Sequence, residues 1–212
     1  MLLLIDTAFD LCQVGLWDDN QLIARISAPG EARHDVILAP LVDRLLQKNN
    51  TKIADLSGIA VMTGPGRFTS LRVGIAFARA LILPHPLSLY GVTTSAVLLA
   101  HSQTIHATWQ KPAVLMAVKR GEIFVQTNKD SDPLSLLLAD LPARLDGCDG
   151  VIAIGAGIPS DWQDALPETL PRTILTHLPL EAIGVSATAL ATASSGHHVV
   201  RPFYGTSTGA GT

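Results

Sequence analysis

An α/β fold that opens on antiparallel strands is what this sequence predicts, and three observations predict it. Leu2 to Ile5 is an uninterrupted apolar run of strand length. Cys12, Val14 and Leu16 alternate with Gln13, Gly15 and Trp17, the period of a half-buried strand. Asp18-Asp19-Asn20 supplies a turn, and Gln21 to Ser27 reads as the strand that comes back from it. Three strands with no helix between them must be antiparallel neighbours. A Rossmann unit begins differently, because there a helix follows the first strand at once.

Helices come next. Asp35 to Lys48 carries helical periodicity with Pro40 inside it, and Ile59 to Thr63 is a short apolar strand feeding Gly64-Pro65-Gly66. A second helix is predicted over Thr69 to Leu83, stopped by Pro84 and Pro86, and a third over Val92 to Ser102, capped by Thr93 or Thr94. The polar stretch His101 to Lys111 divides the chain into a lobe over 1–103 and a second over 104–212. In that second lobe Ala113 to Val118 and Ile123 to Thr127 read as a hairpin, Val151 to Ile154 as a strand, and Glu181 to Ser194 as an Ala-rich helix. Beyond Gly196 the Gly/Ser/Thr-rich tail is expected to fray. No repeat of fixed period and no charge block interrupts this order.

Composition narrows the classes. Of 212 residues 48% are hydrophobic and 16% charged, which excludes a disordered chain. Fifteen Lys and Arg against eighteen Asp and Glu exert no global pull on a phosphate backbone, so any nucleic acid is expected to be held by another protein. Cys12 and Cys148 stand far apart in no metal spacing, as suits a reducing cytosol. The opening Met1-Leu2-Leu3-Leu4-Ile5-Asp6 lacks a basic region and is cut short by Asp6, so it reads as a strand rather than a signal peptide. No apolar run reaches the length of about 18 residues that suggests a membrane span. The expected location is the cytoplasm.

Two loops could carry chemistry. Asp6-Thr7 ends the first strand, where a carboxylate and a hydroxyl could hold a metal-bound phosphate; the alternative is a capped turn in which Asp6 satisfies nearby amides. Gly64-Pro65-Gly66-Arg67-Phe68-Thr69 links a strand to a helix, so free amides and the helix dipole make an anion site to which Arg67 adds charge. The alternative is a plain strand-to-helix turn capped by Thr69. It is not a Walker A loop, because no Gly-Lys-Ser/Thr follows. His34, His85, His101, His106, His177 and His197-His198 show no metal spacing, there is no Gly-x-Ser-x-Gly elbow, and no catalytic constellation is visible.

The first two helices carry more apolar surface than one sheet can cover. On the second, Val73, Phe77 and Leu81 make a bulky stripe beside a small-residue stripe of Ser70, Gly74 and Ala78. On the first, Ile37, Leu41 and Leu45 form one row, and Leu38, Val42 and Leu46 the next. A surface helix needs an apolar face of only about 100°. The excess asks for a partner helix approaching over the small stripe, unless the helices lie wholly inside one core.

At this point a family resemblance is clear. Leu4-Ile5-Asp6-Thr7-Ala8 with Cys12-Gln13-Val14-Gly15-Leu16-Trp17 resembles the opening of the TsaB (YeaZ) family. His34 followed by Ile37-Leu38-Ala39-Pro40-Leu41 resembles its His and Leu-Leu-Pro helix. Gly64-Pro65-Gly66-Arg67-Phe68-Thr69-Ser70-Leu71-Arg72-Val73-Gly74 is similar to its Gly-Pro-Gly-Ser-Phe-Thr-Gly-(hydrophobic)-Arg-(hydrophobic)-Gly motif. Gly91-Val92-Thr93-Thr94 resembles its Gly-Val-Ser/Thr-Ser/Thr turn, Gly121-Glu122-Ile123-Phe124 its Gly-Glu-Val-Tyr, and Pro202-Phe203-Tyr204 its terminal Pro-x-Tyr. Arg67, Ser70, Ala117, Lys119 and Gly205-Thr206 depart from the family pattern.

The resemblance implies an actin-like, ribonuclease-H-like ATPase fold (the ASKHA class) of two lobes, the second reduced. It implies a non-catalytic subunit that activates a TsaD-type partner, with a TsaE-type ATPase, in threonylcarbamoylation of the adenine beside the tRNA anticodon. tRNA would be reached only through the complex. Metal belongs to the TsaD-type partner and no cofactor to this chain, with ATP or ADP at the partner interface left open. The implied interface is His34, Ile37, Leu38, Leu41, Val42, Leu45, Ser70, Val73, Gly74, Phe77, Ala78 and Leu81, which would pair two copies when the partner is missing. Asp6, Thr7, Gly64, Gly66, Arg67 and Thr69 would be a vestigial phosphate loop. The competing readings are a small-molecule kinase or ATPase of the same fold, a metallopeptidase and a free-standing tRNA-binding module.

Overall fold

The structure is a computed structural model that describes every residue except 29–32, 120, 129, 156–160, 194–199, 204–205 and 208–212. Two sheets share one wiring. The first contains β1 (Leu2–Asp6), β2 (Cys12–Asp18), β3 (Gln21–Ala28), β4 (Gly58–Gly64) and β5 (Ser88–Thr93) in the order β3-β2-β1-β4-β5. The second contains β6 (Pro112–Lys119), β7 (Glu122–Gln126), β8 (Leu134–Leu137), β9 (Gly150–Ile154), β10 (Arg172–Leu175) and β11 (Thr206–Ser207) in the order β10-β9-β6-β7-β8-β11. In each, three strands pair antiparallel and the next two add parallel to the first. The duplication is one of topology, which explains why no period appears in the residues.

The helices show how the second half is reduced. In the first lobe α1 (His34–Lys48) and α2 (Phe68–Ile82) make the two crossovers and α3 (Thr94–Ile105) leaves the sheet. Their counterparts in the second are the four-residue α4 (Leu141–Arg144), the four-residue α5 (Asp161–Asp164) and the full-length α6 (Leu180–Ala193). No helix among the described residues is long and apolar enough to cross a membrane.

Successive residues of β1 point into different cores. Leu3 and Ile5 join α1 and α2 residues on one side, while Leu2 and Leu4 join Ile183 and Ala187 of α6 and Val97 and Leu98 of α3 on the other. The central core is shared: Val114 and Met116 of β6 and Ile152 and Ile154 of β9 enter it from the second sheet. With both faces covered, β1 reads as a continuous apolar run. For the same reason β2 is buried on both faces rather than half-buried as its alternation suggests, with Gln13 only 4% exposed. The second cover is α6, arriving from the other lobe.

Local chemistry explains the boundaries. Asp19 and Asn20 both take positive φ in the β2–β3 hairpin, as a two-residue turn of the primed kind requires. Pro40 lies on the exposed side of α1, with Val36 one turn earlier, so the carbonyl left without a donor faces water. The third helix begins at Thr94 rather than Val92, because Val92 and Thr93 still belong to β5 and the Thr93 hydroxyl accepts the Ala96 amide at 3.2 Å. The strands β5, β8 and β10 go beyond the elements that the sequence pattern predicts.

The frayed tail is corrected where it is described. Val200 is 5% exposed in the core beneath α2, Arg79 donates to its carbonyl, and the Phe203 amide donates to the Thr63 carbonyl at 2.7 Å. Thr206 and Ser207 then pair with β8. Residues 194–199, 204–205 and 208–212, with His197-His198 and Tyr204 among them, lie outside the described residues.

Candidate functional site

The two singled-out loops meet. The turn after β1 and the loop before α2 are joined by the Arg67 amide, which donates to the Ala8 carbonyl at 2.8 Å. A β-carbon on Gly66 would stand 2.6 Å from that same oxygen, so the close approach depends on glycine. Thr94 Oγ1 donates to the Pro65 carbonyl at 2.7 Å from the far side. The Gly64–Pro65 peptide is cis.

Asp6 and Thr7 are buried and used by the fold. Asp6 Oδ1 accepts the Ala8 amide at 2.9 Å and Oδ2 accepts Gln13 Nε2 at 2.8 Å, while Thr7 Oγ1 donates to the Ser70 carbonyl at 2.8 Å. This is the capped-turn alternative. Burial pushes the Asp6 carboxyl up to about 6, with the Gln13 and Ala8 bonds pulling the other way. Thr69 does not cap α2: the helix starts at Phe68, its N-cap is Arg67, and no side chain caps it. The Arg67 guanidinium is held by Asp10 at 2.7 Å rather than offered to an anion. Gly64 is buried beside Leu71 and the Phe203 carbonyl.

Beside this junction lies a cleft of about 300 Å³ lined by Phe9, Asp10, His34, Arg67, Ser70 and Val73 among others. His34 is buried at 9% exposure with Nε2 3.2 Å from the Asp10 carbonyl. A carbonyl only accepts, so Nε2 carries the hydrogen. Among the described residues no group of three or more His, Cys, Asp or Glu is placed to hold a metal ion.

The helix faces divide differently from the wheel. Leu38, Leu41, Val42 and Leu45 are buried against the chain's own first sheet, and so is Ala78. Gly74 faces inward as well, onto Thr7. These six cannot touch a partner as the chain stands, which corrects their assignment to an interface. The small stripe serves to bring α2 down onto the β1 turn. Ile37, Ser70, Val73, Phe77 and Leu81 remain half-buried at the surface. Sequence reasoning misses the most exposed apolar groups: Val36 at 60%, Phe68 at 51% with the Arg72 guanidinium 3.7 Å over its ring, and Leu83 at 85%. Val36 adjoins a predicted row, and that neighbourhood is the available signal.

Comparison with known proteins joins this geometry to a family. Residues 28–132 match the family model described as TsaD: tRNA N6-adenosine threonylcarbamoyltransferase. The chain is 34% identical over 129 residues to the tRNA threonylcarbamoyladenosine biosynthesis protein TsaB of Escherichia coli (strain K12), over 58% of this chain and 52% of that protein. It is 28% identical over 126 residues to TsaB of Buchnera aphidicola subsp. Schizaphis graminum, over 58% of each. Over that part of its length the chain is similar to the TsaB (YeaZ) proteins. It spans a little over half the length of these curated TsaB relatives. YeaZ from Pseudomonas aeruginosa superposes with a TM-score of 0.72 at 19% identity, covering 91% of this chain and 92% of that one. That likeness shows the same two-lobed fold across both halves of this chain.

Proposed function

We propose that this chain is a non-catalytic, activating subunit that binds a TsaD-type transferase in tRNA threonylcarbamoyladenosine biosynthesis. The observation that carries this is a contrast. The groups a phosphate-binding enzyme of this fold would turn toward a ligand are spent internally: Asp6 on Ala8 and Gln13, Thr7 on Ser70, and the Arg67 amide on Ala8. Meanwhile the outer side of α1 and α2 leaves Val36 exposed and Ile37, Val73, Phe77 and Leu81 half-covered. Apolar groups gathered on one helix pair mark an interaction surface. Two helices of the partner would complete it, the same face would pair two copies when the partner is missing, and a TsaE-type ATPase would join as a third component. The setting is the cytoplasm, and tRNA is met through the complex.

The test is size-exclusion chromatography with light scattering on the chain alone and mixed with the TsaD-type subunit of the same source. A heteromeric peak is expected, lost when Val36→Glu and Ala76→Glu are combined on the exposed sides of the two helices. Co-elution that survives the double substitution places the contact elsewhere. Tight ATP binding by the isolated chain, without any heteromer, replaces this reading with a small-molecule kinase or ATPase.

A further inference from the structure

Gln13 makes a bridge that partner binding does not explain. Its Nε2 donates one hydrogen to Asp6 Oδ2 at 2.8 Å and the other to the Leu178 carbonyl at 2.7 Å, in the segment between β10 and α6. One buried amide thus joins the turn that opens the first lobe to the chain arriving from the second. On its other side that turn carries α2, because Thr7 Oγ1 holds the Ser70 carbonyl and the Ala8 carbonyl holds the Arg67 amide, each at 2.8 Å. The two residues after Asp6 set where α2 begins.

We propose that this bridge is an acid-released latch: ionised Asp6 ties the opening turn, and through it the start of α2, to the segment entering α6, and protonation of Asp6 undoes the tie. Gln13 Nε2 is purely a donor, so the contact exists because Oδ2 is a bare acceptor. A proton on Oδ2 pointing at Nε2 sets two donors face to face, and one on its other lone pair leaves Oδ2 an uncharged and weaker acceptor. Rotating the amide restores a bond to Asp6 but turns Oε1 onto the Leu178 carbonyl, which sets two acceptors face to face. One of the two bonds is lost or weakened in each arrangement, and a buried group left without its full partner is costly enough to move the segment that carries it.

The charged surroundings allow the change at ordinary pH. Burial raises the Asp6 carboxyl to about 6, against the Gln13 and Ala8 bonds and the pull of His34 on α1 and His177 ahead of α6. The Cys12 thiol on β2, pushed up to about 12 by burial and by Asp6, stays neutral throughout. From the α2 loop the Arg67 guanidinium is held by Asp10 at 2.7 Å. The latch itself is independent of any partner; its consequence for binding rests on the function proposed above.

The experiment uses the full-length chain, labelled with nitrogen-15, and two readouts from pH 5 to 8. The first is the resonance pair of the Gln13 side-chain amide, expected to shift with a midpoint near pH 6 set by Asp6. That step should be absent in Asp6→Asn. The second is association with the TsaD-type subunit, expected to be about threefold weaker at pH 5.5 than at 7.5, as a midpoint near pH 6 gives when the protonated form binds about tenfold more weakly, a hydrogen bond's worth of positioning. Asp6→Asn and Gln13→Met should lose that difference and stay at the weaker value, so a folding failure of one variant leaves the other to decide. A Gln13 resonance indifferent to pH, or a step that persists in Asp6→Asn, overturns the latch. A Gln13 step without association at any pH upholds the latch and removes the partner reading.

Discussion

Gly74 lies directly against Thr7, so that a β-carbon on the glycine would overlap the threonine hydroxyl oxygen. The same hydroxyl donates to Ser70, one turn earlier on α2. Contact and hydrogen bond together hold the helix on the turn. Gly74→Ala gains about 1 kcal/mol of helix propensity and is expected to lose about 1–3 kcal/mol by overpacking. Denaturant unfolding should show a net loss, larger for Gly74→Leu. Thr7→Ala in the Gly74→Ala background should recover part of it, because the two residues share one space. Additive losses would mean that the contact is not the cause.

The pH dependence of stability has a definite sign at Asp6. Its carboxyl lies at about 6 in the fold, raised by burial from an ordinary 3.8, so ionisation is harder in the folded chain than in the unfolded one. The unfolded chain therefore ionises first as pH rises, and the fold loses stability between about pH 4 and 6, then holds level. About two units correspond to roughly 3 kcal/mol. Relative to wild type, Asp6→Asn should gain by about that amount between pH 4 and 7 in parallel unfolding titrations. A difference between the two that is flat across this range would show that Asp6 does not carry the shift. Below pH 6 the latch opens while the fold as a whole gains, so binding and stability should move in opposite directions.

Much of the fold is legible in the sequence because burial on both faces writes itself as plain apolar runs, as in Leu2–Ile5 and Val151–Ile154. The hairpin turn at Asp19-Asn20 and the cap at Thr93 are legible from local chemistry. The strand Ser88–Thr93 is not, since Ser88, Tyr90 and Gly91 break its pattern and its burial comes from Val200 and other distant residues. Gln13 gives no signal for the same reason: the Leu178 carbonyl it binds is 165 residues away. For α2 a wheel identifies a small-residue stripe but not which side the sheet takes. The stripe of Ser70, Gly74 and Ala78 therefore suggests an outward face, whereas Gly74 and Ala78 face in.

The exposed side of the helix pair should be separable from the fold. Val36 is 60% exposed, and Ala76 is exposed on α2. A charge at either position desolvates nothing in the free chain, so Val36→Glu and Ala76→Glu should each change stability by less than about 0.5 kcal/mol. In a complex the same charges would be buried without a partner, at a cost of several kcal/mol. Thermal unfolding of the free chain should therefore stay level while a pull-down of the TsaD-type subunit fails. A drop in Tm as large as the loss of binding would place these residues in the chain's own core.

The tail offers the last test, because Val200 is an anchor where composition suggests a loose end. Its side chain is 5% exposed in the core beneath α2 and lies against Gly91, while its carbonyl takes Arg79. Removing the chain from Val200 onward deletes that side chain, leaves the Arg79 guanidinium without its acceptor, and frees the Thr63 carbonyl from the Phe203 amide. Val200→Ala alone removes two methyl groups from a packed site and should cost about 1–2 kcal/mol, counting transfer and residual cavity. The truncation should cost more than that, with faster hydrogen exchange at Thr63 and Gly64. Truncation just after Phe203 keeps every one of these contacts but deletes the pairing of Thr206 and Ser207 with β8, so its effect should fall on the second sheet and spare the first. If removal from Val200 onward proved as mild for the first lobe as removal after Phe203, the tail would lie on that lobe without holding it.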